Sequence, residues 1–332
     1  MNSIIIFFAL VLSYGLTYLV RLFALHKNII DTPNERSSHS VPTPRGGGLA
    51  IVIAFYTALL VLYFSGQLQS SVFMGLLGLS SIAVIGFIDD HKHIPARYRL
   101  VVHFAAATWS CYWLGVIPLG LGDIAVFTFL AWGGSLFYLV WLLNLYNFMD
   151  GIDGIATTEA ITVLVSAAVL IIFNEHIDGI LLIMLVLVAA LLGFLLWNWP
   201  PAKIFMGDVG SAFLGILLAS LSLVTANNGS LSFSIWLILL AVFITDATYT
   251  LLVRLLRGEK VYQAHHSHAY QYLSRQYGHK RVTMGVLLIN VFWLLPLAGL
   301  VNFYSQWLMV YIVLAYTPLI MVAMKNHAGL SE

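Results

Sequence analysis

The chain has 332 residues and a formal net charge of +1, with 61% hydrophobic and 9% charged residues and a mean hydropathy of +0.93. Soluble domains are nearer half apolar and a quarter charged, so these charges are too few to cover a surface in water; an integral membrane protein with little or no soluble domain is expected. The single cysteine, Cys111, excludes an internal disulfide framework and a cysteine-based zinc cluster.

The first stretch, MNSIIIFFALVLSYGLTYLVRLF, lacks a basic n-region and an evident small-x-small cleavage site. It reads as a retained span rather than a signal peptide. With about 17–25 apolar residues per bilayer crossing, eleven runs follow in chain order: 4–23, 48–65, 71–88, 100–117, 124–143, 156–173, 179–197, 209–224, 232–253, 283–300 and 306–324. The run at 209–224 is the shortest. The runs are continuous rather than alternating, so helices are expected rather than a barrel. The expected fold is an all-α polytopic membrane protein of about eleven transmembrane helices, a single domain over 1–332.

Five short connections lack Lys and Arg: those near 66–69, 118–123, 174–179, 227–232 and 303–306. The other connections (24–47, 89–99, 144–155, 198–208 and 254–282), the end of the first span and the C-terminal tail hold all fifteen Lys and Arg residues. By the positive-inside rule this places the N-terminus in the periplasm and the C-terminus in the cytoplasm, which needs an odd number of spans.

The basic loops carry the chemistry. DTPNERSSHSVPTPRGGGLA (31–50) joins Arg36, His39 and Arg45 to three consecutive glycines, a bare backbone that can approach phosphate. FIDDHKHIPARYRL (87–100) sets Asp89 beside Asp90 at the cytoplasmic end of a span. Such a pair can take a proton, bind a divalent cation, or pair with Lys92, Arg97 or Arg99. In NLYNFMDGIDGIA (144–156), Asn144, Asn147, Asp150 and Asp153 recur at every third residue. Such steps wind across half a helix, and Gly151 and Gly154 predict that the helix loosens here into a loop. NWPPAKIFMGDVGSAFLG (198–215) places Lys203, Phe205 and Asp208 just before a span; Asp208 suits an N-cap or a Mg²⁺–phosphate site. The fifth loop, 254–282, gathers His265, His266, His268 and His279 with Arg254, Arg257, Lys260, Arg275, Lys280 and Arg281. Asp246 lies within a span, where an acid is costly, with Arg254 two turns on as a candidate partner. Acids for a divalent cation, basic residues and glycine backbone on one membrane face suit phosphoryl transfer between two anions.

FIDD (87–90), NLYNFMDGIDGIA (144–156), PAKIFMGDVGS (201–211) and AHHSHAYQ (264–271), in this order, closely resemble the polyprenyl-phosphate N-acetylhexosamine-1-phosphate transferases. That family includes the phospho-N-acetylmuramoyl-pentapeptide transferase of peptidoglycan synthesis and the enzymes that start O-antigen and teichoic acid linkage units. DTP…PTPRGGG (31–48) and TDAT (245–248) also resemble family features. The resemblance implies a multi-pass protein of the bacterial inner membrane in which undecaprenyl phosphate attacks the β-phosphorus of a UDP-N-acetylhexosamine and UMP leaves. Mg²⁺ is the implied cofactor, with Mn²⁺ as the alternative; membrane lipid is a partner, nucleic acid is not, and a homodimer is compatible.

Residue by residue, the resemblance makes Asp208 the Mg²⁺ ligand and Asp89 the acid that accepts the prenyl phosphate proton, with Asp90 assisting or binding metal. It makes Phe205 the stacking partner of uracil, with Asp153 and the Gly151–Ile152 backbone reading the edge of the base. Asn147 and Asp150 complete the polar wall, His265, His266 and His268 contact diphosphate or sugar, and Arg45, Lys203 and Arg281 supply positive charge. The histidine run departs from the muramoyl-pentapeptide pattern: Ser267 breaks it and AYQ follows, closer to O-antigen initiators acting on GlcNAc or on deoxy amino sugars such as FucNAc or QuiNAc. The rival reading is a transporter of nucleotide sugars or lipid-linked intermediates, whose polar residues would lie near the midplane.

Overall fold

A computed structural model describes residues 2–33, 38, 41–92, 94–120, 125–259 and 265–330. Arg36, His39 and Lys260 lie outside the described residues. All eleven apolar runs become helical: α1 (Asn2–His26), α2 (Gly48–Phe64), α3 and α4 (Ser70–Leu77 and Ser80–His91), α5 (Ala96–Leu114), α6 (Ala125–Met149), α7 (Ile155–Phe173), α8 (Gly179–Asn198), α9 (Asp208–Asn227), and α10 and α11 (Phe233–Leu239 and Ala241–Leu256). A short α12 (Ala269–Tyr277) lies outside the runs; α13 (His279–Ile289) continues through a π-helical turn (Asn290–Leu294) into α14 (Leu295–Phe303), and α15 (Leu308–Lys325) closes the chain. A two-residue ribbon pairs Ile30–Asp31 with Thr43–Pro44, antiparallel, at the base of the first basic loop.

The protein is thus an all-α polytopic membrane protein. Among the described residues, eight helical segments are long and apolar enough to cross a bilayer, and α10–α11, bent by 74°, makes a ninth if counted as one span. The remaining two runs are the marginal ones. α2 has only 17 residues, and α5 opens with Arg97, Arg99 and His103.

The weakest run on paper is the centre of the molecule. Every residue of α9 from Val209 to Thr225 is buried, with α2, α4, α5, α6 and α10 packed around it. Two features let helices approach so closely without a hydrophobic drive from water. Side chains bridge them: Ser110 and Ser220 hydroxyls lie 2.9 Å apart, Tyr138 and Ser222 hydroxyls 3.1 Å apart, and Trp236 Nε1 donates to Thr225 Oγ1 at 2.8 Å. Glycines remove the remaining bulk. A Cβ on Gly48 would lie 2.4 Å from Gly210 Cα, and one on Gly86 would lie 2.7 Å from the Asp208 carbonyl oxygen. These contacts press the glycine-rich loop and the end of α4 against the start of α9.

A second polar cluster lies within the span region. Glu159 on α7, fully buried, accepts from Asn290 Nδ2 at 2.6 Å, and that nitrogen also meets Thr162 Oγ1 at 2.7 Å. Asn290 opens the π-helical turn.

Gly86→Ala is expected to push α4 off α9, at an overpacking cost of about 1–3 kcal/mol. A lower melting temperature of the detergent-purified protein checks this; unchanged melting would show that the two helices are not held at this distance.

Candidate active site

The site is built at one end of the bundle, where α9 begins. The first N–H groups of a helix have no partner within it and carry the positive end of its dipole. Asp90, at the end of α4, supplies the acceptor: Oδ1 takes the Asp208 N–H at 3.2 Å and Oδ2 the Val209 N–H at 3.3 Å. Arg45 closes on the same carboxylate, with Nε 3.1 Å from Oδ1 and Nη2 paired to it as well. Burial works against the Arg45 charge, but Asp90, helped by Asp208 and Asp31, holds its guanidinium above the ordinary value. Gly207 makes the arrangement possible. It adopts φ +76°, and a Cβ there would lie 2.6 Å from Asp90 Oδ2. The glycine-rich loop is stitched to the same segment, since Gly47 N donates to Phe205 O at 2.9 Å and Gly48 N to Met206 O at 2.8 Å.

Neighbouring residues on a helix point about 100° apart, so Asp89 finds other partners. Its carboxylate accepts from Ile94 N at 2.7 Å and from Arg99, whose Nη1 also lies 3.3 Å from Asp208 Oδ2. Arg99 therefore bridges Asp89 and Asp208.

The 144–156 stretch divides as its glycines predict: α6 ends at Met149 and α7 starts at Ile155. Gly154 caps α7 at φ 72°. Its N–H donates to Asn198 Oδ1 at 3.0 Å, and Asn198 Nδ2 donates to Ile204 O at 3.0 Å. The loop is thus tied to the 198–208 segment. Asp153 is also engaged, with Oδ2 accepting from Ala202 N at 3.0 Å and Oδ1 lying 3.2 Å from His279 Nδ1. Asp150 and Asn147 differ: neither side chain has a hydrogen-bond partner among the described residues. Burial, then the charges of Asp208, Asp90 and Asp153, push the Asp150 carboxyl well above the ordinary carboxylate range.

Asp246 repeats the Asp90 device at α12. Oδ1 accepts the Ala269 N–H and Oδ2 the Tyr270 N–H, each at 2.9 Å. Oδ1 also lies 3.3 Å from His268 Nδ1, which orients that ring. Arg254, the expected partner, pairs instead with Glu259 at 2.7 Å. Beside His268, burial and then the charges of His268 and Arg254 push the His265 imidazole down to about 3, so it is neutral near pH 7.

These elements enclose two cavities of about 230 and 270 Å³. The first is lined by Arg45, Asn147, Asp150, Gly151, Asp153, Phe205, Asp208, Gln271 and His279, among others. The second is lined by Asp89, Arg99, His103, Asn144, Asn147, Asp208, His265 and His268, and reaches Ile82 and Ile85 on α4. Asn147 and Asp208 line both. Lys203, His266 and Arg281 line neither. The Lys203 ammonium sits over Trp197, 5.4 Å from the ring centre, and Arg281 lies on an apolar cavity between α11, α13 and α15. Arg99 is one of the three partners expected for the paired acids, and it does pair with Asp89; Asn198 and Gln271 are site residues without such an expectation. Among the described residues no three His, Cys, Asp or Glu side chains converge as a ready metal cage.

Residues 72–226 match the model of glycosyl transferase family 4. The chain is 30% identical over 270 residues to a probable undecaprenyl-phosphate N-acetylglucosaminyl 1-phosphate transferase of Bacillus subtilis, covering 78% of this chain and 73% of that protein. It is 32% identical over 244 residues to the phospho-N-acetylmuramoyl-pentapeptide-transferase of Streptococcus pyogenes serotype M6, covering 67% and 72% respectively. The matched stretch of the family model contains three of the four motifs, FIDD, NLYNFMDGIDGIA and PAKIFMGDVGS, and therefore the two cavities' shared wall. The chain belongs to the polyprenyl-phosphate hexosamine-1-phosphate transferase family.

Proposed function

We propose that the protein transfers an N-acetylhexosamine-1-phosphate from a UDP-sugar to undecaprenyl phosphate, releasing UMP. The nucleotide sugar occupies the first cavity and the prenyl phosphate the second. The shared wall carries this reading: because Asn147 and Asp208 line both cavities, two ligands bound side by side present their phosphates to the same residues. Phe205 offers the first cavity a ring for a base, and Arg45 offers it a cation. The second cavity combines one cation, Arg99, and the imidazoles of a phosphate site with Ile82 and Ile85 from a membrane helix, which suits the head of a lipid. The names of the relatives support the carrier lipid and the sugar phosphate.

In the step itself an oxygen of the prenyl phosphate attacks the β-phosphorus. A new P–O bond forms, the bond from that phosphorus to the oxygen bridging to UMP breaks, and UMP leaves with the electron pair. The sugar C1–O bond is untouched, so the anomeric configuration is kept. Both phosphates are largely ionised near pH 7 and need no proton transfer. On this reading Asp89 holds Arg99 rather than acting as a base, and Asp90 caps α9 rather than binding metal. His268, aligned by Asp246, and neutral His265 act as hydrogen-bonding partners.

Asp208 and Asp150 are the carboxylates suited to Mg²⁺, with Mn²⁺ as the alternative. Asp150 is a half-buried acid with no hydrogen-bonding partner among the described residues, facing a second acid, and that is where a cation relieves repulsion. Mg²⁺ usually takes one or two protein carboxylates and completes its shell with water and substrate phosphate, which suits a site without a three-residue cage. When bound, such an ion neutralises charge on the transferred phosphoryl group.

The wider setting we propose is the bacterial inner membrane, with all eleven runs crossing, the N-terminus in the periplasm and the site in the cytoplasm. The step is the first of O-antigen or a related envelope polysaccharide, with GlcNAc, FucNAc or QuiNAc as the sugar. A homodimer is compatible with this arrangement. Transport is the weaker reading, because the two buried acids in the helices are engaged: Asp246 by α12 and Glu159 by Asn290.

Purified protein in nanodiscs with undecaprenyl phosphate, a panel of UDP-sugars and Mg²⁺ is expected to release UMP, only with the lipid present and not in EDTA. Release of UDP, or movement of intact substrate without cleavage, would sink the proposal. Asp208→Asn is expected to lower turnover by about three orders of magnitude with melting unchanged; a near-normal rate removes Asp208 as ligand. Asp90→Asn keeps the shape of the cap but loses its charge. It should cost about 1–3 kcal/mol of stability, seen as earlier melting with or without substrates; a variant that melts normally but no longer responds to Mg²⁺ would restore Asp90 as a metal ligand.

A further inference from the structure

Gln271 lies in the first turn of α12 and is 8% exposed. Its amide has one settled end. The His268 N–H donates to Oε1 at 3.1 Å, and only the oxygen of an amide can accept, so the orientation follows from the bond. The other end, Nε2 with two N–H groups, has no partner among the described residues. The residue nevertheless lines the first cavity, together with Asn147, Asp150 and Gly151. A nearly buried amide held at its oxygen and idle at its nitrogen is a donor set in place for something that enters the cavity.

We propose that Gln271 is a specificity-determining residue, donating from Nε2 to the carbonyl oxygen of the sugar's 2-acetamido group. This rests on placing the nucleotide sugar in the first cavity. Position suits the sugar phosphate end: Gln271 accepts from the backbone N–H of His268, a residue that lines the second cavity, so it stands on the side of the first cavity that adjoins the second. Chemistry favours a neutral acceptor over phosphate. An amide N–H carries no charge and suits a carbonyl, while the cations Arg45 and Arg99 already serve the anionic groups. A site built to donate also rejects a ligand without the acceptor, because the donor is then left buried and unpaired.

Gln271→Glu separates the two ends of the side chain. The carboxylate still accepts from His268 N–H, so α12 stays capped, but the donor is gone. The measurement is kcat/KM for UMP release from the best UDP-N-acetylhexosamine of the panel, relative to its UDP-hexose counterpart with a 2-hydroxyl. The expected result is that the wild-type preference for the acetamido sugar shrinks about tenfold or more in Gln271→Glu, through KM rather than kcat, with melting unchanged and inhibition by UMP within about twofold of wild type. Three results would overturn the proposal: an unchanged preference in Gln271→Glu with general loss only in Gln271→Ala, which leaves a helix cap; a loss of UMP inhibition as large as the loss for sugar nucleotide, which is charge repulsion; or a wild type that shows no preference. A wild type that neither binds nor cleaves any UDP-sugar overturns the placement of the nucleotide sugar itself, and this inference with it.

Discussion

A single carboxylate, Asp90, sits on the amino end of a helix that is buried along nearly its whole length. A helix in that position cannot leave its first N–H groups to water, and its dipole calls for negative charge there. Asp90 answers both needs and is itself answered by Arg45. Three parts of the chain far apart in sequence are thereby fastened at one point, and the glycines at 48, 86 and 207 let their backbones come close enough. Asp208, the first residue of the helix, is left with its side chain facing outward to both cavities. Asp246 does the same for α12 and fixes His268. Asp90 and Asp246 thus act by holding other groups in position, whereas Asp150 and Asp208 line the cavities where a ligand has room.

Much of this was legible in the sequence. The apolar runs marked every long helix, and glycine placed the break after Met149. Legibility failed where packing, not composition, decides. The 209–224 run is weak in sequence because it is the shortest, while its Ser and Gly residues are the kinds that let a helix sit at the centre of a bundle. α6 continues six residues beyond its expected end, to Met149, because Asn144 turns its amide back onto Val140 O at 2.7 Å and stays helical. Glu159 passed unnoticed because its partner, Asn290, is more than a hundred residues away.

The site shows the same division. The motifs collected nearly all of its residues, but not their partners. Asp89 and Asp90 are adjacent in sequence and diverge in space, as a helix requires. Charge and nearness in sequence point to Lys203, His266 and Arg281, yet stem direction sends Lys203 onto Trp197 and Arg281 toward an apolar cavity. Gln271 ends the AHHSHAYQ motif and Arg99 follows the paired acids, but the role of each becomes visible only through what it touches.

The burial of α9 also bears on how the protein is made. Of the helices packed around it, α2, α4, α5 and α6 precede it in the chain, and α10 follows. The first four leave the ribosome before the element they enclose exists, so Ser110 and Tyr138 lack until then the Ser220 and Ser222 hydroxyls that meet them in the finished bundle. Closure waits for the ninth helix, and the site cannot exist before it, because Asp90 and Arg45 have no helix end to cap until Asp208 arrives.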